Sequence, residues 1–147
     1  MDGRDSTLAT LELIRWIAWA KHKGGEDWFR SRELSFEQGF VLGYVIQQPG
    51  AIQRDIAQKT RRGAASVSSL LQGLERRGLV ERRMEGGDER SKRVYATPVG
   101  MELIAGIDSA MADVDEAILA PLDPLERTAL HTLLEKITAE LPKPTRS

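Results

Sequence analysis

The residues of this chain whose types suggest chemistry are arginines and lysines, concentrated in its middle. Between Arg54 and Arg93 there are 11 Lys or Arg residues against 6 Asp or Glu, although the whole chain has a formal net charge of −1. A basic segment between acidic ends indicates a local surface for a polyanion. The alternative is a solvated charged face, and charge alone does not distinguish the two.

Residues suited to catalysis or metal binding are few. The chain has no cysteine and two histidines, His22 and His131, which excludes disulfides and thiolate sites and disfavours a histidine-rich metal centre. On a helix, Asp113 and Asp115 would not share a face. The sequence also lacks a nucleotide-binding loop and a nucleophile motif. We therefore expect no enzyme, no cofactor and no metal.

The basic segment predicts four consecutive elements. They are a short helix (53–59), a turn (61–63), a longer helix (64–77) and a β-hairpin (79–83 with 93–97). Gly78 lies where a glycine commonly ends a helix, and Gly86-Gly87 supplies the turn of the hairpin. This order is the plan of a winged helix-turn-helix.

Helices are predicted on the amino-terminal side of this segment. Apolar residues recur at helical spacing from about Ser6 to Ala20, and Lys23-Gly24-Gly25 is expected to break or end that helix. Ser35-Phe36-Glu37-Gln38 has the form of a capping box and starts a second helix. Pro49-Gly50 should end it, because proline lacks an amide proton and glycine accepts positive φ.

Helices are also predicted on the carboxyl-terminal side. Thr97-Pro98 should start a long connecting helix over residues 97–120, and Asp123-Pro124 should start the last helix with a capping box. The chain is thus predicted to be one mainly α domain, 1–147, with a small β-hairpin wing. Its parts are a winged helix-turn-helix lobe (35–100) and two sets of dimerisation helices (1–34 and 119–147).

These elements suit duplex DNA. The longer helix can enter the major groove, and a basic hairpin tip can reach the neighbouring minor groove or the backbone. Small side chains let a helix approach base edges, hydroxyls can bond bases or phosphates, and a helix N-terminus favours an anion. The DNA-binding candidates are Arg54, Arg61, Arg62, Ala64, Ala65, Ser66, Ser68, Ser69 and Arg82. The alternative is that Ala and Ser only fill a helix surface.

Two runs of residues resemble the MarR family (multiple antibiotic resistance regulators). From Gln53-Arg54-Asp55-Ile56-Ala57 to Gly78-Leu79-Val80-Glu81-Arg82 the chain is similar to the family's helix-turn-helix, and residues 88–100 are similar to its wing and next helix. The most specific part is the spacing of Asp88, Arg90, Lys92, Thr97 and Gly100. The resemblance covers nearly the whole chain.

The resemblance implies further roles on the wing. Arg90 would enter the minor groove, Asp88 would hold it by an ion pair, and Lys92 would contact phosphate; alternatively, Asp88 and Arg90 only close the hairpin turn. Many relatives carry Arg at the position of Ser69, and Asp or Ser often caps the helix where Gly63 stands. Base readout is therefore expected to depend on Ser66, Ser68 and the Arg61-Arg62 pair.

The apolar helix faces at the two ends predict assembly, with burial in a monomer core as the alternative for some of these residues, and the resemblance implies regulation. The apolar helices at both ends, with Leu8, Leu11, Leu119, Leu122, Leu130 and Leu134, predict a homodimer. A twofold dimer places two recognition helices about 34 Å apart and predicts a pseudo-palindromic operator. The resemblance implies a regulator, expected to be a repressor, that is released by a small aromatic or phenolic ligand.

The effector pocket is expected on the helices around the DNA-binding lobe. Its candidate residues are Arg15, Trp16, Trp19, His22, Trp28, Phe36, Phe40 and Tyr44. Aromatic residues at helical spacing can equally belong to the core. The cytoplasm is the expected compartment, because no apolar run approaches the roughly 20 residues of a membrane span and the N-terminus lacks the core of a signal peptide. The alternative function is a winged-helix module that binds proteins rather than specific DNA.

Overall fold

The computed structural model describes residues 2–85 and 92–144. The described helices are α1 (Gly3–Arg30), α2 (Phe36–Gln47), α3 (Gln53–Thr60), α4 (Ala64–Arg76), α5 (Pro98–Leu103), α6 (Ile107–Leu119) and α7 (Pro124–Thr138). The described strands are β1 (Ala51–Ile52), β2 (Val80–Met84) and β3 (Lys92–Ala96). The chain is mainly α with a small antiparallel sheet, as the sequence predicts.

The chain folds into two compact units. The terminal unit holds the described residues up to Trp28 and those from Ile107 onward. The central unit is formed by Phe29–Gly106. The core of the central unit includes eight fully buried side chains: Val41, Leu42, Val45, Ile56, Val67, Leu71, Leu74 and Val94.

Helix α1 runs without interruption through Lys23-Gly24-Gly25, so the predicted break is wrong. A Cβ atom at Gly24 would lie 2.8 Å from both γ-methyl carbons of Val114 on α6. Glycine therefore lets α1 and α6 approach closely. Glycine weakens a helix interior by about 1 kcal/mol relative to alanine, and tertiary packing overrides that local preference here. Lys21 and Asp115 join the same two helices by an ion pair of 3.1 Å.

Local signals place the start and end of α2 as predicted. The Ser35 hydroxyl accepts from the Gln38 amide at 3.1 Å, and the Ser35 amide donates to the Gln38 side chain at 2.9 Å. The helix ends at Gln47, before Pro49-Gly50, and Gly50 takes a left-handed φ of +80°. The capping box therefore fixes one end of α2 and the turn fixes the other.

The wing is a three-stranded sheet in the order β1-β3-β2. Strands β2 and β3 pair antiparallel from Val80 opposite Ala96 to Met84 opposite Lys92, which confirms the hairpin. Strand β1, which the sequence did not predict, adds two residues against the other edge of β3. A strand this short carries no usable alternation of apolar and polar residues. The predicted Gly86-Gly87 turn lies outside the described residues.

The predicted continuous helix over 97–120 is wrong. Helix α5 ends at Leu103, α6 begins at Ile107, and Gly106 between them has a left-handed φ of +90°. Apolar residues keep helical spacing across this point, so periodicity alone does not reveal the interruption. It falls where the central unit ends and the terminal unit resumes.

Helix α7 begins as its sequence predicts. The Asp123 carboxylate accepts from the Glu126 amide at 2.8 Å, and the Glu126 side chain accepts from the Asp123 amide at 3.0 Å. Arg127 then pairs with Glu116 of α6 at 2.8 Å.

Among residues 2–85 and 92–144, no helix combines the length and the apolar character needed to cross a membrane.

Candidate nucleic-acid interface

Helices α3 and α4 are joined by a tight turn that exposes one face of α4. Arg61 ends α3 in the left-handed region, with φ of 55°, and the Arg62 amide donates back to the Ala57 carbonyl at 3.2 Å. Gly63 then begins α4, where glycine has no side chain to cap the helix. The buried side of α4 carries Val67, Leu71 and Leu74. Its opposite side is exposed to solvent.

The exposed side of α4 includes residues that were not among the DNA-binding candidates predicted from the sequence. Ala64, Ala65 and Ser69 are exposed, and Ser66 and Ser68 are half-buried. Two exposed residues continue the same side toward the C-terminal end of α4, Gln72 and Arg76. Positions 65, 69, 72 and 76 repeat at intervals of three and four, which places them on one face of a helix. We name Ala65, Ser69, Gln72 and Arg76 the outer strip.

The two arginines before α4 have partners within the chain. Arg62 forms an ion pair with Glu37 on α2, and its Nη1 donates to the Ser66 hydroxyl at 3.0 Å. Its neighbour Arg61 is exposed and also makes an interaction within the protein. Arg54 on α3 is exposed and makes no ion pair with any described residue. The structure thus brings Arg62 and Ser66 together.

Arg82 ties the first wing strand to α4. Its Nε and Nη2 donate to the Glu75 carboxylate at 3.3 Å each, and its backbone amide reaches the same group at 3.3 Å. The hydrogen bond from Arg82 holds the pKa of Glu75 below its usual value. The Arg82 side chain is 15% exposed. The structure therefore gives Arg82 a positioning role, and its DNA contact stays a prediction.

A cluster of charged residues lies on the wing strands around Tyr95 of β3. Arg83 lies over the Tyr95 ring, 4.5 Å from its centroid, and pairs with Glu81 at 3.2 Å. Glu85 accepts from the Tyr95 hydroxyl at 2.8 Å, which raises the pKa of Tyr95, and pairs with Arg93 at 3.5 Å. Lys92 is half-buried in β3.

The predicted wing residues Asp88 and Arg90 lie outside the described residues. The spacing of Thr97 and Gly100 has a clear structural cause. The Thr97 hydroxyl donates to the Gly78 carbonyl at 2.5 Å and accepts from the Gly100 amide at 3.1 Å. A Cβ at Gly100 would lie 2.2 Å from the Leu79 carbonyl oxygen. Together these residues fix the end of the wing against the turn after α4.

The residues predicted for an effector pocket divide between the two units. In the terminal unit, Arg15, Trp16 and Trp19 line an open depression of about 410 Å³ on α1. Arg15 pairs there with Glu12 at 3.4 Å. His22, which pairs with Glu26 at 3.6 Å, and half-buried Trp28 also belong to the terminal unit. In the central unit, the Phe36 ring lies edge-on to Phe29, Phe40 is exposed and Tyr44 is half-buried. An effector site on these residues stays a prediction.

The fold and the exposed face of α4 define the class of protein. Helices α3 and α4 form a helix-turn-helix, and the sheet of β1, β2 and β3 forms its wing, so the central unit is a winged helix-turn-helix lobe. Comparison with known proteins places this lobe within one family. The model of the MarR family matches residues 33–91.

Solved structures resemble the chain over most of its length. MepR, a transcription regulator of the Staphylococcus aureus multidrug efflux pump MepA, is 28% identical with a TM-score of 0.79, over 88% of this chain and 96% of MepR. A MepR–DNA complex matches at 29% identity and a TM-score of 0.65, over 88% and 96% of the two chains. A Clostridium acetobutylicum protein assigned to the MarR family of transcriptional regulators is 30% identical with a TM-score of 0.73, over 90% and 98%.

A relative that is similar in sequence is also a transcriptional regulator. The HTH-type transcriptional regulator BilQ of Clostridium symbiosum is 29% identical over 98 residues, which cover 67% of this chain and 67% of BilQ. The chain belongs to the MarR family of transcription regulators.

Proposed function

We propose that this chain binds specific duplex DNA as a homodimer and represses transcription from a pseudo-palindromic operator. The observation that carries the proposal is the exposed side of α4. It begins with small residues, Ala64 and Ala65, and ends with a long cationic one, Arg76. A helix with this side free can approach base edges in the major groove. The MepR structure with DNA shows that a relative of similar fold binds DNA.

Charge supports the same partner. The basic segment that contains α3, α4 and the wing strands concentrates cations, although the chain as a whole has a net charge of −1. Arg54 on α3, Arg61 before α4 and Arg76 at the end of α4 are all exposed. Arginine is well suited to phosphate, since its planar guanidinium donates several hydrogen bonds. These cations would position the lobe while α4 contacts bases.

The terminal unit supports dimer formation. Leu8 is 62% exposed and Leu11 56% exposed on α1, and Leu133 is 59% exposed on α7. A helix with apolar residues around its whole circumference is normally buried, and a large apolar patch indicates an interaction surface. We propose that a second copy of the chain covers these faces. A twofold dimer then predicts two half-sites about 34 Å apart, one turn of DNA.

Release by a small aromatic ligand completes the proposal. The indole rings of Trp16 and Trp19 border the open depression on α1, and Arg15 supplies a cation beside them. Rings of this kind can stack on an aromatic ligand, and arginine can pair with its carboxylate. A ligand that prefers a different spacing of the two recognition helices would lower the DNA-competent population. We propose that the protein acts in the cytoplasm.

Selection of bound duplexes from a random-sequence DNA pool tests the proposed function. We expect a twofold-symmetric motif with half-sites about one helical turn apart. Affinity for a duplex carrying that motif should fall steeply between two salt concentrations, because binding releases counterions from the phosphates. Recovery of no motif, with weak binding that salt abolishes, would contradict the proposal and favour a winged-helix module that binds proteins.

A further inference from the structure

The outer strip of α4 combines two kinds of side chain. Ala65 and Ser69 are short and lie toward the N-terminal end of the helix, whereas Gln72 and Arg76 are long and lie toward the C-terminal end. Gln72 and Arg76 are exposed, and neither side chain makes a hydrogen bond or ion pair with any described residue. Their donors and acceptors are therefore available to a ligand.

The rise of an α-helix sets where each residue would lie on DNA. Gln72 follows Ala64 by eight residues, about 12 Å along the axis at 1.5 Å per residue. The major groove is about 12 Å wide, so on a helix inserted by its N-terminal end the backbone of Gln72 lies near the groove edge. Helical side chains lean toward the N-terminus of the helix, so the long Gln72 side chain can reach back to the base edges. Arg76 lies one further turn along, about 18 Å from Ala64, beyond the width of the groove. On a helix placed in this way, Arg76 would meet the phosphates at the groove edge.

The short residues at the start of α4 make this geometry possible. Ala64 and Ala65 cannot donate hydrogen bonds from their side chains, and their size lets the helix backbone sit close to the base edges. The Ser69 hydroxyl reaches less far than the Gln72 amide. Gln72 carries both a donor and an acceptor at its end, the pair that matches N7 and N6 of adenine.

We propose that Gln72 is a specificity-determining residue that reads an adenine in each half-site, and that Arg76 anchors the same helix on phosphate. This inference rests on the proposed function and goes beyond it by assigning a base and a residue. The two residues have different roles, because base contacts specify a sequence while phosphate contacts only position the protein.

Four variants of the full chain test the assignment. Each is put through selection from the random DNA pool, and its affinity is then measured by fluorescence anisotropy over a series of salt concentrations. The variants are Gln72→Ala, Gln72→Glu, Arg76→Gln and, as a matched control, Gln47→Ala, which removes an exposed glutamine from the end of α2. Thermal melting confirms that each variant is folded.

The variants should change the selected motif, the affinity and the salt slope in different ways. Gln72→Ala should lose the preference for adenine at one symmetric pair of positions and weaken binding roughly 5- to 150-fold per half-site with an unchanged salt slope. Gln72→Glu should move that preference toward cytosine, whose N4 amino group donates to a carboxylate. Arg76→Gln should keep the motif and reduce the salt slope by about one per half-site. The control should match the wild type in both measurements.

The outcomes separate this inference from the proposed function. If the wild type selects a symmetric motif and both Gln72 variants select the same motif with the same affinity, the role of Gln72 is overturned while DNA recognition stands. An unchanged salt slope in Arg76→Gln overturns the phosphate contact. If the wild type itself selects no motif, the proposed function fails, and the assignment of a base fails with it.

Discussion

Arg62, in the turn before α4, forms an ion pair with Glu37 in the first turn of α2. The same guanidinium donates to the Ser66 hydroxyl at 3.0 Å. The Arg62 and Glu37 side chains are 35% and 48% exposed, so both lie within reach of a bound polyanion. The Glu37 carboxylate thus pairs with an arginine that is predicted to contact DNA. On DNA binding, a phosphate would compete with Glu37 for Arg62.

Replacing Glu37 should therefore strengthen DNA binding. Glu37→Gln keeps the shape of the side chain but removes the charge that neutralises Arg62. We expect a higher affinity for the selected duplex and a salt slope steeper by up to about 0.9 per subunit, since one more phosphate can be neutralised. The control is Glu140→Gln, which removes a charge near the end of the chain. Equal affinities and slopes in both variants would show that Glu37 does not compete with DNA.

The contact between Glu75 and Arg82 should make part of the stability depend on pH. Arg82 lowers the pKa of Glu75 below its usual value of 4.5. Its stabilisation is therefore present above that value and is lost as pH falls through the lower pKa of the folded state. Because Glu75 is 42% exposed, we expect Glu75→Gln to lower the free energy of unfolding by less than about 1 kcal/mol at pH 7.

Urea unfolding of the wild type and Glu75→Gln at pH 7 and at pH 3 measures this effect. The difference between the two proteins should be smaller at pH 3, which lies below the usual pKa of 4.5, because the stabilisation is lost as pH falls below the pKa of the unfolded state. A difference that is equal at both values, or larger at pH 3, would contradict the role assigned to the ion pair.

Substitution of Gly100 should destabilise the protein, whereas substitution of Gly73, another helical glycine, should not. A Cβ at Gly100 would lie 2.2 Å from the backbone oxygen of Leu79, but at Gly73 the nearest atom is a side-chain nitrogen of Gln38 at 3.8 Å. We expect Gly100→Ala to destabilise the protein by about 1–3 kcal/mol or more. Gly73→Ala should stabilise it by about 0.5–1 kcal/mol through helix propensity. Melting curves that place both variants on the same side of the wild type would refute this comparison.

The apolar surface of α1 should control assembly. Leu11 is 56% exposed, and Leu11→Asp would place a carboxylate in the proposed dimer interface. We expect sedimentation velocity to show a dimer for the wild type and a monomer for this variant, with DNA affinity reduced roughly 100-fold or more by the loss of two-site binding. Val99→Asp, at a position 60% exposed on α5, should stay dimeric. A monomeric wild type at the same concentration would exclude the dimer.

Features set by neighbouring residues were predictable from the sequence. The capping boxes at Ser35 and Asp123, the helix that starts after Thr97 and the glycine that follows α4 at Gly78 all depend on a few consecutive residues. Their preferences act over one turn of helix, so they can be read before the fold is known. The order of short helix, turn, longer helix and hairpin follows in the same way.

Features set by distant contacts were not predictable. The sequence predicted a break at Gly24, but Val114 on α6 explains why glycine is accommodated inside α1. It also predicted one continuous helix where Gly106 separates α5 from α6. The partners of Arg62 and Arg82, Glu37 and Glu75, were also not anticipated. The spacing of residues by three and four along α4 could have pointed to Gln72 and Arg76, but the predicted DNA-binding residues of this helix lay only in its first turns.

The most direct test of the central claim compares two duplexes of equal length and base composition, one with the selected motif and one with its bases scrambled. Fluorescence anisotropy titrations at physiological salt give the two dissociation constants. We predict binding to the motif at least roughly 1,000-fold tighter, as in specific protein–DNA complexes, with one dimer per duplex. Equal affinity for the two duplexes would contradict the claim that this protein recognises DNA sequence.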